Sequence, residues 1–583
     1  MRVLAASGWA GRSWEVRLKR RLIEIPAVAL GLGLVLSGCS TAGLEPDDTV
    51  DHADTETVPP DPAPLTVAID PVTGIRPLAA HASGASDAAT WSWTVDGART
   101  LHAGPAVPAL DILPGETWEV TVTDTDGRTA TTSVVVPAPP GGNILLVILD
   151  DVGVDNFNAS NVASRQVRTP VLDALAGAGV YFENAYAAPE CTPTRAAILT
   201  GRHARRTGIG GLIAAANPDE LPLDAVTAPE ALAEARAGDY TSIAMGKYHL
   251  ASRRSESGLD APILQGFSWY AGSNDNLLER PDGYFAWRKS VAGVLQDWTV
   301  YATTDTANDA IAQIGGAPEP WFAQLAFNAP HTPIHVPPPE LTTVDLPSDA
   351  PEDELYGAML EAVDTELGRV LGALDPEVLQ RTTVIVVGDN GTSKPGTAGP
   401  FEKDRSKHTM YEGGVHVPLM VVGPLVAAPG RSAALVHVVD IFATIADIAG
   451  VPLAPTPTGL ALELEDGDLR AIDGVSLLPW FADPALPTAR EYVFAELFAP
   501  LGPPPYPSRD ARTIRDARWK LIEAVSTSLG MQETEFFDLT TSTLDEGQDL
   551  LRAGPLTGEQ QAAFDRLSAA LDAQIAALPY DGF

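Results

Sequence analysis

The chain has 583 residues, 45 % of them hydrophobic and 20 % charged, so it is long enough for two or three domains with a large core. Its formal charge of -38 argues against nucleic acid as a partner and repels highly sulfated polymers at long range, while a local basic pocket can still hold one anion. Two cysteines cannot build a disulfide framework, and stability must come from the core.

Arg12, Arg17, Lys19, Arg20 and Arg21 precede an apolar run from Ile25 to Leu36 that is too short to cross a bilayer as a helix and ends in Leu36-Ser37-Gly38-Cys39. Residues 1–38 therefore read as an export signal. Their end resembles the lipobox of bacterial lipoproteins, which implies acylation of Cys39 and a lipid anchor to the bacterial cell envelope, periplasmic or at the outer surface. Residues 39–64 are Asp, Glu, Thr and Pro with almost no large apolar side chain, and read as a tether. Over 65–137, runs such as Thr90 to Val95 and Thr117 to Val122 alternate with period two and are set off by turn dipeptides, which predicts a small immunoglobulin-like β-sandwich. A spacer is the favoured reading of that module, ahead of a glycan-binding one.

After the Pro/Gly stretch at 137–142 the pattern changes. Asn143 to Leu149 is a continuous apolar run, as expected of a strand buried on both faces of a parallel sheet, and it ends in Asp150-Asp151. Thr383 to Val387 is a second such run, ending in Gly388-Asp389-Asn390-Gly391. Singly, each aspartate reads as a turn residue or helix cap. Together, three carboxylates and an amide at the carboxyl ends of two strands make an oxygen-rich place for a hard cation, calcium or magnesium. Between them lies Glu190 to His203, where Pro193 suits a first helical turn and Gly201 an end, so Cys191 falls at a helix N-terminus with Arg195 one turn on.

The Cys191, Pro193, Arg195 and Leu199-Thr200-Gly201-Arg202 pattern resembles the signature of the type I sulfatases of the alkaline phosphatase superfamily. There Cys-x-Pro-x-Arg is the tag for oxidation to Cα-formylglycine, which implies a formylglycine-generating enzyme as a partner in maturation. Thr192 stands where that family mostly has Ser or Ala and Thr194 where it mostly has Ser, and both replacements keep a small side chain. The paired aspartates and the later Asp-Asn-Gly are similar to its metal ligands. Lys247-Tyr248-His249-Leu250, Pro330-His331-Thr332-Pro333 and Lys407 to Gly414 follow in the family's order, and Arg518 to Leu521 with Glu535 to Leu539 resemble its C-terminal part.

The resemblance implies an α/β fold over 141–480, a large mixed, mostly parallel sheet flanked by helices, with a smaller C-terminal α+β subdomain over 481–583. It implies Cys191, Arg195, Lys247, His249, His331 and Lys407 as catalytic residues, and Asp150, Asp151, Cys191 as formylglycine, Asp389 and Asn390 around Ca2+ or Mg2+. In the implied reaction the aldehyde hydrate attacks sulfur and Asp389 accepts its proton, while Arg195, Lys247 and the cation stabilise the sulfate oxygens. His331 and Lys407 then protonate the leaving group, and His249 takes a proton as the intermediate collapses. Lys394 and Lys403 share the loop of Lys407. His408 stands where the family often has glycine, and Ser273 offers a further polar contact. In the 252–296 segment Trp269, Tyr270 and Trp287 serve either to stack on a sugar or to anchor loops. The substrate class is a small-molecule or glycan sulfate ester. A phosphodiesterase or phosphonate monoester hydrolase, and a non-catalytic lipoprotein that binds sulfated glycans, are the alternatives.

Overall fold

The computed structural model describes residues 65–69, 78–86, 88–95, 98–99, 104–107, 117–135, 142–235, 239–277, 283–456, 459–463, 469–540 and 545–581. The export signal, Cys39 and the tether expected over 1–64 lie outside the described residues.

Two small antiparallel sheets come first. One orders β1 (Thr66–Ile69), β2 (Leu78–Ser83) and β5 (Ala106–Val107), the other β4 (Ala98–Arg99), β3 (Thr90–Val95), β6 (Thr117–Thr123) and β7 (Thr129–Val135). Alternate residues of β6 are buried, as the period-two pattern predicts. Trp93 and Trp118 meet edge to face, 6.2 Å apart, in a core completed by Ala80, Val107 and Val120 from both sheets.

The body is built on a ten-stranded sheet. Its strands are β8 (Asn143–Leu149), β9 (Val180–Tyr186), β10 (Thr241–Gly246), β11 (Trp269–Gly272), β12 (Trp287–Val291), β13 (Val294–Trp298), β14 (Trp321–Ala326), β15 (Thr382–Gly388), β16 (Leu419–Val422) and β17 (Gly430–His437), in the order 13-12-11-10-14-8-15-16-9-17. Five of the nine neighbouring pairs are parallel and four antiparallel, so the parallel character is concentrated in β11-β10-β14-β8-β15. Every residue of β8 and β15 is buried. Ile144, Leu146 and Ile148 pack on one face with the helices Cys191–Thr200 and Asp440–Ala449, and Leu145, Val147 and Leu149 on the other with Ala302–Ile314 and Glu352–Ala373. A strand sandwiched in this way has no polar face, hence its unbroken apolar sequence.

Register places the chemistry. Gly246 pairs with Ala326, Ala326 with Ile148, and Leu149 with Gly388, so β10, β14, β8 and β15 end side by side on one edge. The residues that follow them are Lys247, Phe327, Asp150 and Asp389. Two glycines permit the close approach. A Cβ on Gly246, at φ +90°, would stand 1.9 Å from the Ala326 carbonyl oxygen, and one on Gly272 would stand 1.8 Å from that of Gly246.

A three-stranded sheet of β18 (Leu453–Thr456), β19 (Gly459–Glu463) and β20 (Leu469–Ile472), unforeseen in the sequence, is followed by an antiparallel meander, β21 (Val493–Ala499), β22 (Arg509–Arg515), β23 (Trp519–Ser526) and β24 (Met531–Asp538). The helix Gly558–Ala577, started by a capping box of Thr557 and Gln560, lays Ala563, Leu567 and Leu571 on Ile514, Leu521 and Phe536. This is the expected C-terminal α+β unit.

His203, just beyond the Cys191 helix, is buried 4.8 Å from the ring of His437 and 5.4 Å from that of Phe494. Burial pushes His203 down to about 4 and His437 well below the usual range. A base depressed in the folded state contributes stability above its unfolded pKa of 6.5 and loses it as pH falls toward 4. The fall in unfolding free energy between pH 7 and 4.5 should therefore shrink by roughly 2 kcal/mol in His203→Gln, measured by denaturant titration at both pH values. An unaltered pH dependence in the variant would show that His203 does not titrate in this way.

Candidate active site

The site lies where the four parallel strands end. Asp150, Asp151, Asp389 and Asn390 are all at most 1 % exposed. The Asp389 backbone N–H donates to the Leu149 carbonyl at 3.1 Å, continuing the β8–β15 ladder, and the Asp151 N–H donates to Asp389 Oδ1 at 3.1 Å. Asp151 takes a left-handed backbone, φ +67°, and Tyr356 Oη donates to its carbonyl at 2.6 Å, so the strained turn is held from below. The Asp150-Asp151 pair and the Asp389-Asn390 pair thus face one another as a unit.

Cys191 opens the helix Cys191–Thr200, with Glu190 as the preceding extended residue and Gly201 in the left-handed region closing it. Every residue of this helix is buried. Its Sγ is 3.5 Å from Asp150 Oδ1, 3.5 Å from Lys247 Nζ and 3.3 Å from Lys407 Nζ. Lys247 donates to Asp150 Oδ2 at 2.5 Å and Lys407 to Asp151 Oδ1 at 2.5 Å. Arg195 sends Nε and Nη2 to Asp389 Oδ2 at 3.0 and 2.7 Å, and Nη1 to the Lys247 carbonyl at 2.7 Å. These bonds tie Arg195 to Asp389 and to the backbone at Lys247.

Burial raises the carboxyl of Asp389, and the neighbouring Asp150 charge adds to it, against Arg195 and Lys247. Burial also works on Asp151, but the lysines, Lys407 above all and Lys247 with it, outweigh it and hold this group well below the usual carboxylate range. Lys407 is held charged in turn: burial opposes its charge, and Asp151 overrides it. Burial drives the Cys191 thiol up to about 12 in spite of Lys247 and Lys407. The unmodified residue is a neutral thiol and a poor nucleophile.

His331 Nδ1 is 2.8 Å from the Thr332 carbonyl oxygen, which can only accept, so Nδ1 carries the proton and Nε2 is bare, 4.0 Å from Asp151 Oδ2. Burial pushes it down to about 3. His249, at φ +58°, is pushed well below its usual value by burial and by Lys247 and Arg195, and its Nδ1 is buried with no hydrogen-bond partner among the described residues. Both imidazoles are neutral in this state.

The donors suit a hard divalent cation. Asp150, Asp151, Cys191 and His331 each offer a ligand atom within 4.8 Å of the others, and Asn390 adds a buried Oδ1 that has no hydrogen-bond partner among the described residues, while its Nδ2 donates to Asp151 at 2.9 Å. An acceptor left unmatched among carboxylates is what an oxygen-coordinated cation would use.

Several sequence expectations are now placed. Lys407 reaches the site, whereas Lys394 pairs with Asp404 at the surface and Lys403 is exposed. His408 is exposed and turns its Nδ1 to Glu190 Oε1, 2.9 Å away. Ser273 hydrogen-bonds Asn328, the residue three before His331. Tyr270 and Trp287 are buried, with Oη on the Gly246 carbonyl and Nε1 on that of Val300, which makes them anchors of the segment.

Sequence reasoning missed two supports. Tyr284 Oη lies between the carbonyls of Asn328 and His331, at 2.7 and 2.8 Å, and steadies the His331 loop. Glu412, five residues after Lys407, accepts from Tyr186 Oη at 2.5 Å and Lys520 Nζ at 2.8 Å, and Lys520 also holds Glu546 at 2.8 Å. The C-terminal sheet thereby braces the Lys407 loop. The motif containing Glu412 was visible in sequence, its distant partners were not.

A Sulfatase family model matches residues 142–451. The chain is similar to N-acetylgalactosamine-6-sulfatase of Canis lupus familiaris, 31 % identical over 383 residues, covering 59 % of this chain and 66 % of that one. It is also similar to arylsulfatase J of Mus musculus, 28 % identical over 330 residues, covering 53 % and 52 %. The chain thus spans about two thirds of the first relative and about half of the second. Among solved structures, Ps i-CgsB in complex with k-i-k-neocarrahexaose superposes with a TM-score of 0.59 at 22 % identity, covering 75 % of this chain and 93 % of that one. BT4656 in complex with its substrate D-glucosamine-2-N,6-O-disulfate does so with 0.57 at 20 % identity, covering 75 % and 98 %.

In protein made without any conversion of Cys191, the buried thiol should resist iodoacetamide at pH 8 and react on unfolding, read by mass spectrometry. Rapid labelling of the folded chain would contradict the burial and protonation described above.

Proposed function

Since the chain belongs to the sulfatase family, we propose that it is a sulfuric ester hydrolase whose nucleophile is made from Cys191 by conversion to Cα-formylglycine. The observation that carries this is the neutral, buried Cys191 thiol set against two lysines and the Asp150 carboxylate at a helix N-terminus. A thiolate is disfavoured there, yet an oxyanion of a modified residue would meet cations on two sides.

Asp150, Asp151, Asp389 and Asn390 would hold the cation, together with residue 191. The all-oxygen donor set supports calcium, with magnesium as the alternative. When bound, the cation supplies Lewis acidity and the converted residue 191 a geminal diol with a hydroxyl that ionises near neutral pH.

The chain's own residues do the rest. Arg195 fixes Asp389 through two N–H groups on one oxygen and so sets the orientation of that carboxylate. Asp389, whose proton affinity is raised by burial, is suited to take the diol proton. Lys247 and Lys407 stabilise negative charge on the sulfate oxygens. Lys407, held protonated by Asp151, is the standing proton donor to the leaving alcohol. His331 Nε2 is bare in the resting state and serves first as a hydrogen-bond acceptor, becoming a donor only after it gains a proton. His249, neutral and with an unpartnered nitrogen, takes a proton as sulfate departs.

The relatives' names include a sulfatase of an N-acetylated sugar and a complex with a disulfated glucosamine, which supports a glycan sulfate as substrate. The lipobox-like Leu36-Ser37-Gly38-Cys39 supports export and lipid anchoring at Cys39. The 65–137 module acts as a spacer, 141–480 as the catalytic domain and 481–583 as its C-terminal subdomain.

Converted protein should hydrolyse 4-nitrophenyl sulfate at least about 100-fold faster, by kcat/KM, than bis(4-nitrophenyl) phosphate, and Cys191→Ala should lower the sulfatase rate by more than about 1000-fold. Activity that survives in Cys191→Ala, or a preference for the phosphodiester, would overturn the reading. Dialysis against a chelator should abolish turnover and calcium should restore it; restoration by magnesium alone would reassign the cation.

A further inference from the structure

Two reacting residues are each flanked, one position away, by a side chain that the reaction steps do not use. Glu190 immediately precedes Cys191, and His408 immediately follows Lys407. His408 has φ +73°, in the left-handed region. Among the described residues four non-glycine residues stand there: Asp151 and His249 belong to the reacting site, Ala292 sits in the β12–β13 turn, and His408 is the fourth. A side chain larger than glycine is uncommon in that region, and such backbones gather at functional sites.

The conformation is held from three sides. The His408 N–H donates to the Pro189 carbonyl at 2.9 Å, and the His408 carbonyl accepts from Arg509 Nη2 at the start of β22. His408 Nδ1 lies 2.9 Å from Glu190 Oε1, and since a carboxylate can only accept, Nδ1 donates the proton of this bond. Glu190 occupies the N-cap of the Cys191 helix, yet its carboxylate caps no N–H of that helix. Its oxygens are spent elsewhere: Oε2 accepts from the Leu212 N–H at 2.9 Å, and Oε1, beside His408, stands 3.8 Å from Arg509 Nη1. Glu190 is buried as well, so neither partner of the bond is free to swing away.

Lys407 is thereby gripped on two sides. Its own N–H donates to the Thr392 carbonyl at 3.1 Å, which ties it to the segment after β15. Through His408 it is tied to the start of the Cys191 helix. Between these ties its Nζ stands 3.3 Å from Cys191 Sγ.

We infer that Glu190 and His408 are positioning residues, whose bond fixes the Lys407 ammonium relative to residue 191 so that it meets the leaving oxygen in a set geometry. This rests on the sulfate-ester reading above. Both act through their neighbours in the chain, and the left-handed backbone at His408 is the strain that the bond holds in place. A misplacement of about 1 Å in such a site can cost roughly 100-fold in rate.

The test uses converted protein, with kcat normalised to the formylglycine content of each preparation by mass spectrometry. Wild type, His408→Gly, His408→Asn and Glu190→Ala are compared on 4-nitrophenyl sulfate and on phenyl sulfate, whose poorer leaving group depends more on a proton from Lys407. In His408→Gly and Glu190→Ala the ratio of kcat for phenyl sulfate to kcat for 4-nitrophenyl sulfate should fall roughly 10-fold, with KM within about 3-fold of wild type. His408→Asn should keep the ratio within about 3-fold, because asparagine tolerates the left-handed backbone and its Nδ2 can donate to Glu190 from the place of the imidazole Nδ1. The double variant should be no worse than the poorer single one. An unmoved ratio, equal losses on both esters, or additive losses in the double variant overturns the inference, since a merely structural role would lower both rates alike. A second readout needs no turnover: in unconverted protein, iodoacetamide should label Cys191 at least about 10-fold faster in His408→Gly and Glu190→Ala than in wild type. If wild type hydrolyses neither ester, the hydrolase reading fails and the labelling decides. Faster labelling in both variants then supports the positioning bond, and labelling unchanged from wild type overturns it.

Discussion

Three carboxylates, Asp150, Asp151 and Asp389, are buried together where β8 and β15 end, and their charge must be balanced in place. Like charges in a medium of low dielectric raise one another's energy steeply, and isolated ionised groups there are very costly. The fold answers with three buried cations, each on its own carboxylate: Lys247 on Asp150, Lys407 on Asp151, Arg195 on Asp389. Much of the architecture reads as the means of bringing those cations to that point. Lys247 comes from the end of β10, Arg195 from the Cys191 helix, and Lys407 from a loop whose position depends on Glu412 and Lys520.

The same balance bears on the proposed conversion of residue 191. The lysines favour an anion at Sγ, but burial and the nearby Asp389 and Asp150 charges oppose it more strongly. Oxygen bound to a hard cation is a different case, because the cation's charge replaces the lost hydration. The second ionic cluster, Glu412, Lys520 and Glu546, follows the same rule at the junction with the C-terminal sheet, where one lysine serves two buried carboxylates. Removing such a shared cation leaves buried charge uncompensated, which is why these clusters tend to be structurally unforgiving.

Much of this was readable in the chain. The unbroken apolar runs of β8 and β15, each followed by acidic residues, announced a parallel core with a ligand site at its carboxyl edge, because a doubly covered strand leaves polar groups nowhere else to go. Cys191 at a helix start followed from Pro193 and Gly201. Less was readable where partners are distant. Nothing local ties Tyr284 to the His331 loop, Arg195 to Asp389 or Lys520 to Glu412, since such pairs depend on tertiary register. The choice of Lys407 over Lys394 and Lys403 likewise required seeing which lysine faces inward. The four antiparallel pairs of the large sheet and the small sheet over 453–472 come from short strands whose patterns are too brief to assign direction.

The central claim is that Cys191 serves as the precursor of the nucleophile. Its most direct test is the mass of the tryptic peptide that carries residue 191, taken from protein purified from its own host. The account predicts a loss of about 18 Da relative to cysteine, the signature of thiol-to-aldehyde conversion. An unmodified thiol in protein that nonetheless turns over a sulfate ester would contradict it.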